Sequence, residues 1–277
     1  MNTTTRSIVF TALTLGVSSV AAAQTTINFN GASDTFTSQF TGAPGWQNNV
    51  GILDQPGPAV GGGLRTFSNP TAVFNTGIST ASISSFTVSG LVRGDWVNIG
   101  SGSGAFTLGF GTATTAGTNF TGTGTGNSFG LRIEGTSTAG SPVWRTRLDT
   151  ASANITPTSG STAISGLLST NWYLVSATYT KGVSDVWNFS GSITDYGTNG
   201  NTPAGSPLSS VAGSFTQAST YGAATLHAAI NFRSGGGNQT ALDNFTFSTT
   251  AIPEPSSFAV IAGLGALGFV AARRRRA

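Results

Sequence analysis

The segment 172–193 constrains the fold of this chain more than any other. Residues 172–180 read WYLVSATYT and are rich in aromatic and β-branched side chains, Lys181 and Gly182 supply a turn, and residues 186–193 resume the pattern. Because side chains alternate between the two faces of a strand, three large apolar residues of the second segment share one face: Trp187, Phe189 and Ile193. The pattern predicts a β-hairpin.

Similar short segments recur along the chain, separated by Gly, Pro, Asn and Ser. They are residues 26–30, 35–40, 47–53, 71–75, 82–89, 96–99, 105–110, 129–134, 143–148 and 214–217, with two more around the apolar faces Leu226/Ala228/Ile230/Phe232 and Phe245/Phe247. Roughly a dozen strands with almost no helical pattern predict an all-β protein, an antiparallel two-sheet β-sandwich. Residues 113–126 and 195–207 are predicted to be loops.

The formal charge of +3 arises at the two ends of the chain, because Arg6 and the arginines at 273–276 supply five of the twelve basic residues. Residues 24–252 carry seven basic and eight acidic residues, a formal charge of −1. A nearly neutral domain lacks the basic surface on which nucleic-acid binding depends, so we expect no nucleic-acid partner. The chain has no cysteine, so its core rather than disulfides must hold the fold.

The N-terminus has the pattern of an export signal. One early charge, Arg6, precedes an apolar stretch over residues 8–20, and Ala21, Ala22 and Ala23 provide the small residues of a cleavage site before Gln24. We therefore predict a helical signal peptide over residues 1–23, handled by the Sec translocon and removed on export.

The C-terminus combines three features. The motif Pro253, Glu254, Pro255 and Ser256 is followed by the uncharged apolar segment 258–272, and the basic cluster Arg273, Arg274, Arg275 and Arg276 comes next. Fifteen apolar residues are fewer than the ~20 of a usual membrane span. The arginines are expected to stay in the cytoplasm, with the preceding domain outside it. This pattern predicts a membrane-spanning sorting helix that anchors the precursor before processing.

The tail resembles the PEP-CTERM sorting signal of Gram-negative bacteria. That resemblance implies recognition by an exosortase-type processing enzyme and delivery to the cell surface or to a matrix that contains exopolysaccharide. The predicted organisation is a signal peptide (1–23), a sandwich domain (24–250) and a sorting signal (251–277).

The domain between the signals resembles the concanavalin A-like or laminin G-like jelly roll. Residues 172–196 look like the central hairpin of such domains, and residues 241–247 look like their closing strand. An Ig-like array or another sandwich is the alternative.

Few residues suggest catalysis. His227 is the only histidine, it alternates away from the apolar face of its strand, and we expect it to be solvated or hydrogen-bonded. No nucleophile elbow accompanies it. Glu134 is the only glutamate between residues 24 and 252, whereas glycoside hydrolysis needs two carboxyl groups. We therefore expect no enzymatic activity, no catalytic residue and no cofactor.

Ligand contacts have two candidate sites. Jelly rolls of the resembling class often carry structural calcium, and Asp243 with Asn244, or Asp195 with Asn199, would supply its oxygen ligands. The alternative, which we favour, is that Asp243 and Asn244 hydrogen-bond locally to the backbone. Among the tryptophans, Trp144 is the best candidate for an exposed platform that contacts a sugar, although the core is the default position for each of them.

The expected function is structural or adhesive, as a component of the outer surface or extracellular matrix in contact with polysaccharide. The alternatives are a specific carbohydrate-binding module of lectin type and, third, a glycoside hydrolase.

Overall fold

The computed structural model describes residues 23–27, 40–42, 46–49, 63–66, 71–79, 81–94, 104–112, 128–136, 141–148, 151–154, 159–183, 186–216, 225–232, 240–252, 263–265, 267 and 272–274. All the strands among these described residues lie in one compact unit, Ala22–Ile252. The helical residues 263–265, 267 and 272–274 belong to a second unit.

The described strands follow one another along the chain and range from two to twelve residues in length. They are β1 (Ala23–Ile27), β2 (Phe40–Gly42), β3 (Trp46–Asn49), β4 (Gly63–Thr66), β5 (Thr71–Ser79), β6 (Ile83–Arg93), β7 (Gly104–Gly111), β8 (Ser128–Glu134), β9 (Val143–Leu148), β10 (Ala151–Asn154), β11 (Ser159–Gly160), β12 (Tyr173–Lys181), β13 (Val186–Asp195), β14 (Ser209–Thr216), β15 (Thr225–Phe232) and β16 (Thr240–Ala251).

Within the described residues these strands form two antiparallel sheets. The nine-stranded sheet has the order β11-β14-β13-β12-β6-β16-β4-β3, and β1 also pairs with β16. The seven-stranded sheet has the order β10-β9-β8-β7-β15-β5-β2. The all-β, two-sheet antiparallel sandwich predicted from the sequence is confirmed.

The core consists of the alternating apolar side chains on the two facing sheet surfaces. Its centre is aromatic: Phe110 contacts Phe86, Tyr179 and Trp187 at ring-centroid distances of 5.0 to 5.8 Å. Such edge-to-face and tilted pairs add to the stabilisation from burial.

Tyr179 joins the two sheets through its hydroxyl group. From β12 it donates to the Leu108 carbonyl oxygen (2.7 Å) and accepts from the Leu131 amide (3.1 Å), on two neighbouring strands of the opposite sheet. Burial raises the pKa of this phenol well above its usual value, so the hydroxyl stays protonated and able to donate.

The predicted hairpin is observed as β12 and β13, with Trp187, Phe189 and Ile193 buried on one face. Three strands were not predicted: β4, β10 and β11. They are short and largely polar or glycine-containing, so they show no alternation of apolar residues. These strands form because they pair with neighbouring strands, and their own sequences carry no strand pattern.

Several predictions lie outside the described residues: the strand at 96–99, the loop at 113–126, almost all of the signal peptide and most of the apolar segment 258–272. Where the structure describes helical residues, they form no helix long and apolar enough to cross a membrane.

Candidate functional site

The outer face of the seven-stranded sheet carries an unusual set of polar residues. In β8, Phe129, Leu131 and Ile133 belong to the core, so the residues between and after them, Arg132 and Glu134 among them, face outwards. The same alternation in β7, β9 and β15 adds further polar positions. We call this set the polar face: Thr107, Arg132, Glu134, Arg145, Arg147, His227 and Asn231.

The strand registers arrange these residues in transverse rows. Arg145 pairs with Arg132, Arg132 with Thr107, and Thr107 with Asn231, which makes one polar row across four strands. The adjacent row begins at Arg147 and continues through residues that have a small side chain or none: Gly130, Gly109 and Ala229. A polar row therefore runs beside a row of small residues, and both rows are largely buried: Thr107, Arg132 and Ala229 are 1%, 5% and 0% exposed.

Glu134 lies between two arginines. Its Oε2 is 3.4 Å from Arg132 Nε, and its Oε1 is 3.6 Å from Arg145 Nε. Arg132 and Glu134 are buried, while the Arg145 side chain is 30% exposed. Because a buried charge is costly unless it is paired, this triad fixes the position of its members.

The polar face concentrates positive charge. Three of the seven basic residues between 24 and 252 lie on β8 and β9. Among the side chains that the structure describes on this face, Glu134 is the only carboxylate. The overall charge of the domain, −1, conceals this local excess.

His227 lies over Gly77 of the neighbouring strand β5. A Cβ atom at Gly77 would be 2.9 Å from His227 Cε1, so glycine at this position leaves room for the imidazole. The expectation of a solvated His227 is wrong, because the residue is only 7% exposed, and its buried Nδ1 has no hydrogen-bond partner in the described structure. A hydrogen bond at the other ring nitrogen stays a prediction. The sequence pattern gave no sign of the pairing with Gly77.

The proposed sugar platform at Trp144 is also wrong. Trp144 is 1% exposed, and its indole Nε1 donates to Ser209 Oγ (3.1 Å) on the opposite sheet. It points into the core because it alternates with Arg145 in β9. Trp172 and Trp187 are equally buried, so none of the tryptophan side chains that the structure describes offers a stacking surface.

Asp243 and Asn244 occupy a bulge in β16, where the register against β6 shifts between Asp243 and Thr246. Asn244 has a φ of +47°, a conformation that asparagine tolerates better than most residues. Its amide donates to Asp243 Oδ1 (2.7 Å), the local hydrogen bond favoured from the sequence.

Burial raises the pKa of Asp243 to about 6, and the hydrogen bond from Asn244 opposes that shift. The neighbourhood is apolar: Asp243 pairs in register with Leu91, which packs with Trp172 and Ala241 on the outer face of the nine-stranded sheet. The described residues contain no cluster of three acidic or histidine ligands, and structural calcium at Asp243 and Asn244 stays a prediction.

The Asp195 carboxylate forms hydrogen bonds that hold the loop after β13. It accepts hydrogen bonds from Asn171 Nδ2 (2.9 Å) and from the Gly197 amide (2.6 Å). Asn199 accepts from the Asn201 amide (3.2 Å). The second candidate pair for calcium is thus engaged in local hydrogen bonds that shape this loop.

The sandwich unit begins and ends, along the sequence, next to the predicted processing segments. Ala23 and Gln24 begin β1 and pair with Thr249 and Ser248 of β16, so the predicted cleavage bond lies within β1. Ile252 donates its amide to Ser82, directly before Pro253. Ala21, the motif Pro253–Ser256, Arg275 and Arg276 lie outside the described residues, while Arg273 and Arg274 are helical.

Residues 251–276 match the family model of the PEP-CTERM protein-sorting motif. The curated proteins contain no match to this sequence. The motif confirms the resemblance seen in the tail and implies an exported protein that is sorted by an exosortase-type enzyme and anchored in the membrane before processing.

The sandwich is similar to solved lectin structures. Peanut lectin with a nine-residue peptide has a TM-score of 0.50 at 12% identity, over 84% of this chain and 100% of the lectin. Lectin I-B4 from Griffonia simplicifolia, in its metal-free form, has a TM-score of 0.50 at 12% identity, over 82% and 99%. A PL-14 alginate lyase from Aplysia kurodai has a TM-score of 0.49 at 11% identity, over 84% and 100%. The chain therefore joins a lectin-like, concanavalin A-like jelly roll to a C-terminal PEP-CTERM sorting motif.

Proposed function

We propose that this protein is an exported, noncatalytic component of the cell surface or extracellular matrix that contacts polysaccharide through its polar face. The observation that carries the proposal is the accessible edge of the polar face on β9, where the Arg145 side chain is 30% exposed and Arg147 is half-buried, while Thr107 and Arg132 are buried beside them. Sugar hydroxyls bind through hydrogen bonds to such polar side chains.

The mode of contact is polar rather than aromatic. The described tryptophan side chains are in the core, so stacking on them contributes nothing to binding. The similar structures named as lectins share the fold, and the argument for a carbohydrate ligand here comes from this chain's own polar face together with its sorting motif.

The composition of the face favours binding over hydrolysis. Glycosidases position two carboxyl groups on either side of the scissile bond. Glu134 is the only carboxylate among the described side chains of the polar face, and both of its oxygens contact arginines. Its role in the proposal is to orient Arg132 and Arg145.

A glycan and polysaccharide array with the full chain, purified in detergent, tests the proposal. We expect binding to one or more polysaccharides without release of new reducing ends. Binding confined to one glycan would favour the specific lectin-type module. A flat array would remove the polysaccharide contact, and release of reducing ends would show that the protein is an enzyme.

A further inference from the structure

We infer that the processing enzyme contacts the end of the sandwich from which the sorting motif leaves, and that Val183 and Ile252 form part of that contact. We call this surface the exit end and define it by four exposed residues: Gln24, Ser82, Val183 and Ile252. The inference extends the sorting assignment and does not depend on the contact with polysaccharide.

The end of β16 is held between two strands. On one side the Ile252 amide donates to the Ser82 carbonyl oxygen (2.9 Å), directly before β6 begins. On the other side β1 pairs with β16, and Gln24 lies opposite Ser248. The chain is therefore tied to the sheet as far as Ile252, and the sorting motif starts at the next residue.

Val183 lies at the same end of the nine-stranded sheet, although it is distant from Ile252 in sequence. Thr180 of β12 pairs with Ser85 of β6, and the turn between β12 and β13 follows, closed by a hydrogen bond from the Val186 amide to the Val183 carbonyl oxygen (3.2 Å). In the sheet order, β6 separates β12 from β16. This turn therefore lies about two strand spacings, or about 10 Å, to the side of the end of β16.

The tether between the sandwich and the apolar segment is short. Only residues 253–257 separate Ile252 from the segment 258–272. Five extended residues span at most about 17 Å, whereas a small protein domain is about 30 Å across. An enzyme that binds the motif at 253–256 therefore cannot avoid the exit end.

The side chains of the exit end favour such a contact. Val183 is 83% exposed and Ile252 is 41% exposed, so a partner that covers them removes apolar surface from water. The side chains of Gln24 and Ser82 are uncharged as well, and covering the four residues therefore takes no charged side chain out of water.

The test measures how fast the full chain is processed, by pulse–chase immunoblotting in cells that contain the exosortase-type enzyme. Val183→Asp should slow processing by about tenfold, because it places a charge in an apolar contact. The control Leu168→Asp makes the same kind of change at an exposed leucine beside the start of β12, at the opposite end of the sheet, and should be processed like the wild type.

A longer tether separates this contact from other effects of the substitution. An insertion of about six Gly and Ser residues between Ile252 and Pro253 adds about 20 Å of reach, so the enzyme can bind the motif away from the sandwich. With this insertion, Val183→Asp should change the rate by less than about twofold, because the two changes act on the same contact.

The outcomes decide the inference. An unchanged rate in Val183→Asp, equal slowing in Leu168→Asp, or the same slowing with both tethers overturns it. Absence of processing in the wild type removes it together with the sorting assignment and leaves the polysaccharide contact standing. Thermal unfolding in detergent verifies that each variant folds, and Val183→Ser replaces Val183→Asp if the acidic variant unfolds.

Discussion

Asp243 gives the most specific prediction about stability, because its carboxyl group is buried in apolar surroundings. The residue is 1% exposed, pairs in register with Leu91 and accepts one backbone hydrogen bond from Asn244. Burial raises its pKa from 3.8 to about 6. We predict that Asp243→Asn, which keeps an oxygen acceptor and removes the titration, makes the sandwich more stable at pH 8 than the wild type.

The sign follows from proton linkage. Between about pH 4 and pH 6 the folded state binds more protons at Asp243 than the unfolded state does, so this residue lowers the free energy of unfolding as pH rises through that window. A shift of about two pKa units corresponds to about 3 kcal/mol, an upper value for the stability that the wild type lacks at pH 8. At pH 4, where the carboxyl is neutral in the folded state, the two proteins should agree within about 0.5 kcal/mol.

The assay is urea unfolding of both proteins from pH 4 to pH 8, with and without calcium. The difference in unfolding free energy between the two proteins at each pH reports on Asp243, because the other carboxyl groups are the same in both. The local hydrogen-bond interpretation predicts identical midpoints with and without calcium, whereas a calcium site would raise only the wild-type midpoint. Parallel pH curves for the two proteins would refute the reasoning about burial.

Three further changes test the account. Tyr179→Phe removes a hydroxyl that bridges Leu108 and Leu131, and denaturant unfolding should show a free energy of unfolding lower by about 1–3 kcal/mol. An unchanged midpoint would mean that the bridge does not stabilise the fold. Trp144→Phe should lower the melting temperature without changing the affinity for polysaccharide, because the indole lies in the core; weakened binding in a folded variant would restore Trp144 as a ligand contact. Replacing Arg273–Arg276, or separately the motif at 253–256, should leave an unprocessed precursor on immunoblots of cell fractions, whereas normal processing in both variants would contradict the sorting assignment.

Much of the fold could be predicted from local patterns. The alternation in β12 and β13 predicted both the hairpin and its buried face. The sorting motif of the tail could be identified because its features are adjacent in the sequence. Short polar strands such as β10 escaped prediction, since their pairing depends on neighbours that are distant in sequence.

The candidate site was harder to predict, because strand register brings it together. Arg132 and Arg145 are thirteen positions apart, and Asn231 comes from a strand much later in the chain. The alternations Arg132-x-Glu134 and Arg145-x-Arg147 are the sequence signal that would have marked one polar sheet face. Trp144 was misplaced for the same reason: its neighbours Arg145 and Arg147 indicate an exposed strand, while the alternation puts the tryptophan on the opposite face.

The central claim is that polysaccharide contacts the outer face of the seven-stranded sheet, and amide hydrogen exchange with and without the bound polymer tests it most directly. The account predicts slower exchange on polymer binding in β8 and β9, with no change in β12, β13 and β14 of the other sheet. Protection confined to the nine-stranded sheet, or none despite saturating polymer, would contradict it.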